Sequence, residues 1–193
     1  MFAAAVASSL FVVSACYPDR LDNVNYDVVA TVHDSTANFK ATTFALDDSV
    51  VHLLVSGSDN ISRAYDAQIL ARIRSNMTAR GYTEVADPNT ADLAMLVGVT
   101  TADYTAYYWD YWCGSWGYWW GYGCYYPPYY GTYTYTLGTL FVGMQDRRTL
   151  TGGKVETIWL GIGNGLVGQG VTATRVTGAI DQMFTQSPFI KAN

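Results

Sequence analysis

Residues 93–99 form the apolar run Leu-Ala-Met-Leu-Val-Gly-Val, and this run decides the fold. A strand with one wet face alternates apolar and polar residues, whereas a nearly continuous apolar run is typical of a central strand that is buried on both faces. Asp87-Pro88-Asn89 precede the run and break any strand that ends there. We therefore place residues 93–99 at the centre of a sheet and look for its partners on both sides.

Strand patterns lie before and after this run. The segments that are rich in β-branched residues or alternate in polarity are 26–33, 38–46, 82–85, 133–145 and 155–162. Residues 50–55 are a short apolar segment of uncertain type, and residues 146–153 are expected to form a long hairpin turn. The central run thus has several candidate neighbours.

Two segments have helical spacing. The apolar residues of the first step by four, and they are Ile61, Tyr65, Ile69, Ile73 and Met77. Good N-cap residues at 58–60 precede this helix, and Arg80-Gly81 closes it. The second segment carries Val176, Ile180, Met183 and Phe184 and ends before Pro188. The order strands, helix, strands, helix predicts an α+β domain whose mixed or mainly antiparallel sheet has two helices packed on one face.

Composition excludes several classes of function. The chain has 193 residues, half of them hydrophobic and 14% charged, so it is long enough for one domain with a real core. Its net charge of -5 argues against a nucleic-acid partner. Residues 163–168 match a dinucleotide-binding glycine pattern, but only 25 residues follow, too few for the strand and ribose-binding acid that such a site needs. His33-Asp34 is a weak candidate for a catalytic base. We therefore expect that the protein is not an enzyme and that it binds no cofactor and no metal ion.

The N-terminal segment has the pattern of a lipoprotein signal. Residues 1–15 carry no charge and are too short to span a bilayer, and the run ends in Val13-Ser14-Ala15-Cys16, which resembles a bacterial lipobox. We interpret residues 1–15 as a signal peptide, 16–23 as a lipidated leader with acyl chains such as palmitate on Cys16, and 24–190 as the domain. A positive residue is missing ahead of the apolar run, which points to a true start upstream of Met1. A buried helix that ends in an incidental cysteine is the alternative.

Tyr17 and two further cysteines also bear on the predicted location of the protein in the cell envelope. Tyr17 follows the cysteine where an aspartate would retain a lipoprotein in the inner membrane, so we expect the periplasmic face of the outer membrane. Cys113 and Cys124 are then an even pair, and an oxidising periplasm would join them in a disulfide. Two free thiols and a metal pair remain alternatives.

A set of short motifs, in their order and spacing, resembles a known family. The motifs are Asn25-Tyr26-Asp27, Asn38-Phe39, Arg80-Gly81-Tyr82, Ala91-Asp92-Leu93, residues 135–140, Ile158-Trp159-Leu160-Gly161 and Ser187-Pro188-Phe189. Together they resemble the bacterial lipoproteins catalogued as domain of unknown function 4136. The resemblance implies an envelope address and a compact α+β fold, and it implies no catalytic residue.

An aromatic insertion at residues 103–132 interrupts this pattern. From Tyr104 to Tyr135 the chain holds twelve of its sixteen tyrosines, five of its six tryptophans and no phenylalanine. Tyr and Trp combine an apolar face with a hydrogen-bonding edge, which suits a half-wet surface better than a core. The candidate binding surface consists of Tyr107, Tyr108, Trp109, Trp112, Trp116, Trp119, Trp120, Tyr125 and Tyr126.

Four interpretations of this aromatic segment stay open. It binds an envelope protein or a second copy, it stacks on envelope glycans, it lies in the membrane interface beside the lipid, or it is a low-complexity loop without a ligand. We predict a lipid-anchored envelope protein that acts as a binding or structural module. A periplasmic hydrolase or carbohydrate-binding protein that acts on envelope glycans is the alternative.

Overall fold

The computed structural model describes residues 29–53, 63–100, 123–125, 138–151, 154–166 and 171–193. The strands are β1 (Val29–His33), β2 (Thr43–Leu46), β3 (Val51–Leu53), β4 (Thr83–Glu84), β5 (Leu93–Thr100), β6 (Gly123–Tyr125), β7 (Thr139–Thr151) and β8 (Lys154–Gly163). The α-helices are α1 (Asp66–Ala79) and α2 (Ala173–Thr185), and single 3-10 turns lie at Arg63–Tyr65 and Pro88–Thr90.

These strands form one mixed sheet in the order β1-β8-β7-β5-β2-β4. The β5-β7, β7-β8 and β1-β8 pairs are antiparallel, and β2 is parallel to both β5 and β4. β2 and β3 pair with successive parts of the same edge of β5. In the same way, β6 and β1 pair with successive parts of the outer edge of β8. The predicted α+β fold with a mixed sheet and two helices is confirmed.

The sheet has a helix-covered face, and its centre is β5. Every residue of β5 is buried. Leu93, Met95, Val97 and Val99 belong to the main hydrophobic cluster, which also holds the buried side chains of both helices. Because side chains alternate along a strand, Ala94 and Leu96 point to the other face, where they are also buried. The prediction of a central strand buried on both faces is therefore confirmed.

The two helices meet the sheet and each other through their apolar stripes. Ile69, Leu70, Ile73 and Met77 are the buried residues of α1, and Met183 and Phe184 are among those of α2. Burying each such side chain contributes roughly 1.5 to 3 kcal/mol. Met183 lies so close to β8 that a Cβ on Gly161 would sit 2.8 Å from its sulfur. A larger residue at 161 would therefore force the Met183 or Trp159 side chain to shift.

The family-like motifs are joined to one another by buried hydrogen bonds. The Tyr82 hydroxyl donates to the Phe39 carbonyl at 2.7 Å, and burial raises the pKa of Tyr82 to about 12. The Trp159 indole donates to the hydroxyl of Ser187 at 2.8 Å, and both side chains are fully buried. These residues connect distant segments of the chain, so their role is to hold the fold.

Asp92 joins the start of β5 to the start of β2. Its carboxylate accepts from the Thr42 and Thr43 amides at 2.8 and 3.0 Å, and its own amide donates to the Thr43 hydroxyl at 2.9 Å. Burial raises the pKa of the Asp92 carboxyl, but the hydrogen bonds from Thr42 and Thr43, together with the charge of Arg148, outweigh burial and hold the pKa below its usual value. The ionised carboxylate is thus the form that stabilises the sheet.

Several element boundaries differ from those predicted. α1 begins at Asp66 with Tyr65 at its N-cap position, so residues 58–60 do not cap it. The predicted C-terminus is right, because Gly81 follows the cap with a φ of 91° that suits glycine. β2 starts at Thr43 and not at residue 38, and the amides of Thr42 and Thr43 at this start donate to the Asp92 carboxylate.

The predicted hairpin turn is also too long. β7 continues to Thr151, and the register shifts twice along its pairing with β8. Asp146 pairs with Glu156 whereas Leu150 pairs with Val155, so residues 147–149 form a bulge. The added residues of a bulge break the alternation of apolar and polar residues that identifies a strand. The continuation of β7 through the bulge is therefore not visible in the sequence pattern.

We predict that Asp92→Asn lowers the free energy of unfolding by about 1 to 3 kcal/mol at neutral pH, because a neutral amide accepts these hydrogen bonds less strongly. The pKa of Asp92 is lower in the fold, so its contribution is present above the ordinary carboxyl pKa and is lost as pH falls through the folded pKa. Denaturant unfolding at several pH values measures the difference, which should shrink in acid.

Asp48→Asn is the matched control, since the Asp48 side chain is 98% exposed and pairs with Arg74 at the surface. Its effect should stay below about 1 kcal/mol, as for surface ion pairs in general. Equal unfolding midpoints for Asp92→Asn and Asp48→Asn would contradict the role given to Asp92.

Candidate functional site

Most residues that the sequence singled out as a site lie outside the described part of the chain. These are Cys16, Cys113, Tyr107, Tyr108, Trp109, Trp112, Trp116, Trp119, Trp120 and Tyr126. The backbone of Cys124 and Tyr125 belongs to β6, where it runs parallel to Val155 and Glu156 of β8. The lipid, the disulfide and the aromatic surface therefore stay predictions.

The described residues do show where the aromatic insertion enters and leaves the sheet. It follows Thr100 at the end of β5 and returns at Gly138 before β7, and these two strands are direct neighbours. The Gly138 amide donates to the Thr100 carbonyl at 3.0 Å. β6 then ties the middle of the insertion to the outer edge of β8. The described residues thus connect the insertion to the sheet at three places, the end of β5, the start of β7 and the outer edge of β8.

A polar cleft opens beside the opposite end of β7 and β8. It has a volume of about 410 Å³, and its lining includes Asp34, Asp146, Arg148 and Glu156. Asp34 follows β1, whereas the other three residues come from the β7-β8 hairpin. These side chains lie up to 122 positions apart in the chain, and no spacing or motif marks them as neighbours. Sequence reasoning therefore missed this cleft.

Arg148 connects the two walls of the cleft. Its guanidinium pairs with the Asp146 carboxylate at 2.7 and 2.9 Å and donates to the carbonyls of Lys40, at 2.7 Å, and Asn38. The hydrogen bond to Asp146 is the main cause that raises the pKa of Arg148. The bulge of β7 is what turns Arg148 back over Asp146. Arg148 thus holds the segment before β2 against the hairpin.

The carboxylates of the cleft are unequal. Asp34 accepts from the amide and hydroxyl of Thr36 at 2.7 and 2.8 Å, and Asp146 is paired with Arg148. Burial raises the pKa of Glu156, and the negative charges of Asp34 and Asp146 raise it further. The neutral form of Glu156 is therefore favoured in the fold relative to a free glutamate.

The two histidines lie on different parts of the helix-covered face. His33 stacks on Phe189 with ring centroids 4.1 Å apart and lies 6.3 Å from Phe39, so its ring belongs to an aromatic cluster. The His52 side chain is 3% exposed, and its Nε2 lies 2.9 Å from the carboxylate of Asp66 at the start of α1. The weak base candidate His33-Asp34 is not assembled, because Asp34 bonds to Thr36.

Two further observations concern metals and membranes. In the described ranges, no three His, Cys, Asp or Glu side chains come together in a way that would hold a metal ion. Neither helix of the described chain has the length and apolar character needed to cross a membrane.

Comparison with known proteins gives a family match. The model of the family described as Domain of unknown function (DUF4136) matches residues 29–189. No curated protein matches the chain. The match thus covers the whole described fold from β1 to the end of α2.

Solved structures include similar chains. The crystal structure of a DUF4136 family protein from Bacteroides thetaiotaomicron is 30% identical, has a TM-score of 0.68, and the match covers 88% of this chain and 99% of that one. The PelC dodecamer from Paraburkholderia phytofirmans is 11% identical with a TM-score of 0.45, and the match covers 87% and 99% of the two chains. The second similarity is too low to support an argument about this protein.

We predict that Glu156→Gln raises the free energy of unfolding at neutral pH. The pKa of Glu156 is higher in the fold, so its charged form destabilises the fold, and the cost develops as pH rises from the ordinary value of 4.5 through the folded pKa. Below 4.5 the variant and the unmodified chain should converge. Denaturant unfolding across this pH range measures the effect.

Glu84→Gln is the control, since Glu84 and Glu156 are the two glutamates of the chain. Glu84 accepts from the Arg74 guanidinium at 2.7 Å, so losing its charge should slightly lower stability, by up to about 1 kcal/mol. A Glu156→Gln variant that is less stable than Glu84→Gln at neutral pH would contradict the assignment.

Proposed function

This chain belongs to the DUF4136 family, and we propose that it is an envelope protein held to a membrane by lipid on Cys16, acting by binding and not by catalysis. The family is one of unknown function, so the proposal depends on the residues of this chain. It has two parts, an anchor and a contact surface, and each part has its own test.

The anchor is supported by the sequence ahead of the domain. Small residues precede Cys16 at the end of an uncharged apolar run, as in a lipobox. β1 begins at Val29, thirteen positions after Cys16. Several acyl chains, each stabilised by about 0.8 kcal/mol per buried CH₂, attach a protein to a bilayer almost permanently. The domain would then work beside a membrane surface.

The contact surface is the aromatic segment, and one observation carries this part. The segment is inserted between β5 and β7, the central strands, and is paired again with β8 through β6. Groups that a rigid scaffold holds in place lose less conformational entropy on binding than groups on a free loop. Tyr and Trp are enriched at protein interfaces, where they contribute large contact areas. A protein of the envelope, or a second copy, is the partner that this composition favours.

We expect that the protein isolated from its native host begins at Cys16 and carries acyl chains there. Cleavage before the cysteine frees its amine, and the thiol receives the lipid, so the mass of the N-terminal peptide should exceed that of the bare sequence. Mass spectrometry of that peptide measures this, with Cys16→Ser as the control that should stay uncleaved and unacylated. An unmodified leader in the unaltered protein would contradict the anchor.

The contact surface is tested with a photo-crosslinking amino acid at Trp119, in the segment, and at exposed Lys191 as the control. Illumination in intact cells should give a discrete protein adduct, heteromeric or dimeric, from position 119 and not from position 191. Adducts that carry glycan would show that the partner is an envelope polysaccharide and not a protein. Identical adducts from both positions, or none from either, would contradict the proposed surface.

A further inference from the structure

The turn that follows β8 contains Asn164-Gly165, the one asparagine of the sequence that a glycine follows. Gly165 has a φ of 72°, in the left-handed region that favours glycine. Both residues are partly exposed, so water reaches them. In such a pair the asparagine side chain is open to attack by the next backbone nitrogen, because glycine has no side chain that would obstruct the approach.

The hydrogen bonds of this turn leave the nitrogen of Gly165 available. The Leu166 amide donates to the Gly138 carbonyl at 2.8 Å, and Leu166 is 0% exposed. Within the part of the chain that the structure describes, the Gly165 N–H has no hydrogen-bond acceptor. A bonded amide must lose its hydrogen bond before its nitrogen reacts. The Gly165 amide has no such bond to lose.

The side chain of Asn164 is bound to β7. The Thr139 hydroxyl donates to Asn164 Oδ1 at 2.8 Å, and Thr139 is 0% exposed. A donor on this oxygen draws electron density away from Cγ. It also stabilises the negative charge that develops on Oδ1 when a nucleophile adds to Cγ. The turn thus combines an unobstructed nucleophile with a polarised carbonyl.

We propose that Asn164 is a site of intramolecular deamidation and that the Thr139 hydroxyl is the hydrogen-bond donor that assists the reaction. The Gly165 nitrogen loses its proton to hydroxide and forms a bond to Asn164 Cγ. The Cγ–Nδ2 bond then breaks, and Nδ2 takes a proton from water and leaves as ammonia. A further water molecule opens the resulting five-membered succinimide to aspartate or isoaspartate. The net reaction consumes one water, releases one ammonia and changes no oxidation state.

The two products alter the turn in different ways. Both add a negative charge beside Thr139, and isoaspartate also inserts one carbon into the backbone between β8 and Leu166. Leu166 packs so closely on Gly163 that a Cβ at position 163 would overlap its side chain. Isoaspartate should therefore displace a core residue and lower stability. The inference goes beyond the proposed function, because the reaction needs neither an anchor nor a partner.

Peptide mass spectrometry tests the site in the unaltered chain. The folded protein is incubated at mildly alkaline pH in water enriched in heavy oxygen and is then digested in ordinary water. The Asn164 peptide should gain one heavy oxygen and separate into aspartate and isoaspartate forms. Asn89 is the internal control, since it is exposed but is followed by Thr90. Conversion of Asn164 that is no faster than that of Asn89 would overturn the proposal.

Two variants at position 139 test the role of the hydroxyl. Thr139→Val keeps the shape of the side chain and removes the donor, whereas Thr139→Ser keeps the donor. Deamidation of Asn164 should slow severalfold in Thr139→Val and return towards the unaltered rate in Thr139→Ser. Each variant is measured where circular dichroism shows that it is folded. Equal rates in the two variants would refute the assistance by Thr139.

Asn164→Asp separates the added charge from the added backbone carbon, because it has the charge alone. The isoaspartate form, isolated from the incubated protein, should unfold at a lower denaturant concentration than Asn164→Asp. Equal midpoints for the two proteins would show that Leu166 keeps its place and would overturn this consequence of the reaction.

Discussion

The burial of β5 on both of its faces is the constraint on which the rest of this structure depends. An apolar strand with one wet face would expose Leu96 and its neighbours to water, at a cost of about 25 cal/mol per Å². The helices satisfy one face through the side chains of Leu93, Met95 and Val97. Ala94 and Leu96 on the other face are also buried, at 1% and 3% exposed.

The residues that carry the family resemblance serve this architecture. Tyr82 bonds to Phe39, Trp159 bonds to Ser187, and Asp92 joins β5 to β2. Each of these bonds links segments that are far apart in the chain. The Tyr82 and Trp159 bonds are buried, and a buried polar group left without its partner costs about 1 to 3 kcal/mol. These residues of the family motifs therefore connect distant segments of the fold. Function is better sought in what this chain adds to them, the N-terminal cysteine and the aromatic segment.

The polar cleft brings together acidic groups from segments that are far apart in the chain. Asp34, Asp146 and Glu156 converge where the β7 bulge meets the segment before β2. Arg148 neutralises Asp146 and holds two backbone carbonyls, so its bonds go to the protein itself. The unfavourable electrostatic interaction that remains is that of Glu156, whose pKa is raised by burial and by the charges of Asp34 and Asp146. We assign this cleft to the stability of the hairpin.

The sequence alone predicted both helices and most of the strands, the place of the central strand, the end of α1 at Arg80-Gly81 and the family, because periodicity and capping are local properties of the chain. It left β3 undecided and did not predict β6. The tertiary structure decided what the pattern of residues does not encode. The bulge at residues 147–149, the late start of α1 and the cleft around Arg148 depend on contacts between segments many positions apart. The burial of the sheet face opposite the helices also depends on tertiary contacts. A run of apolar residues predicts that both sides of the strand are covered, but it does not identify the segment that covers each side.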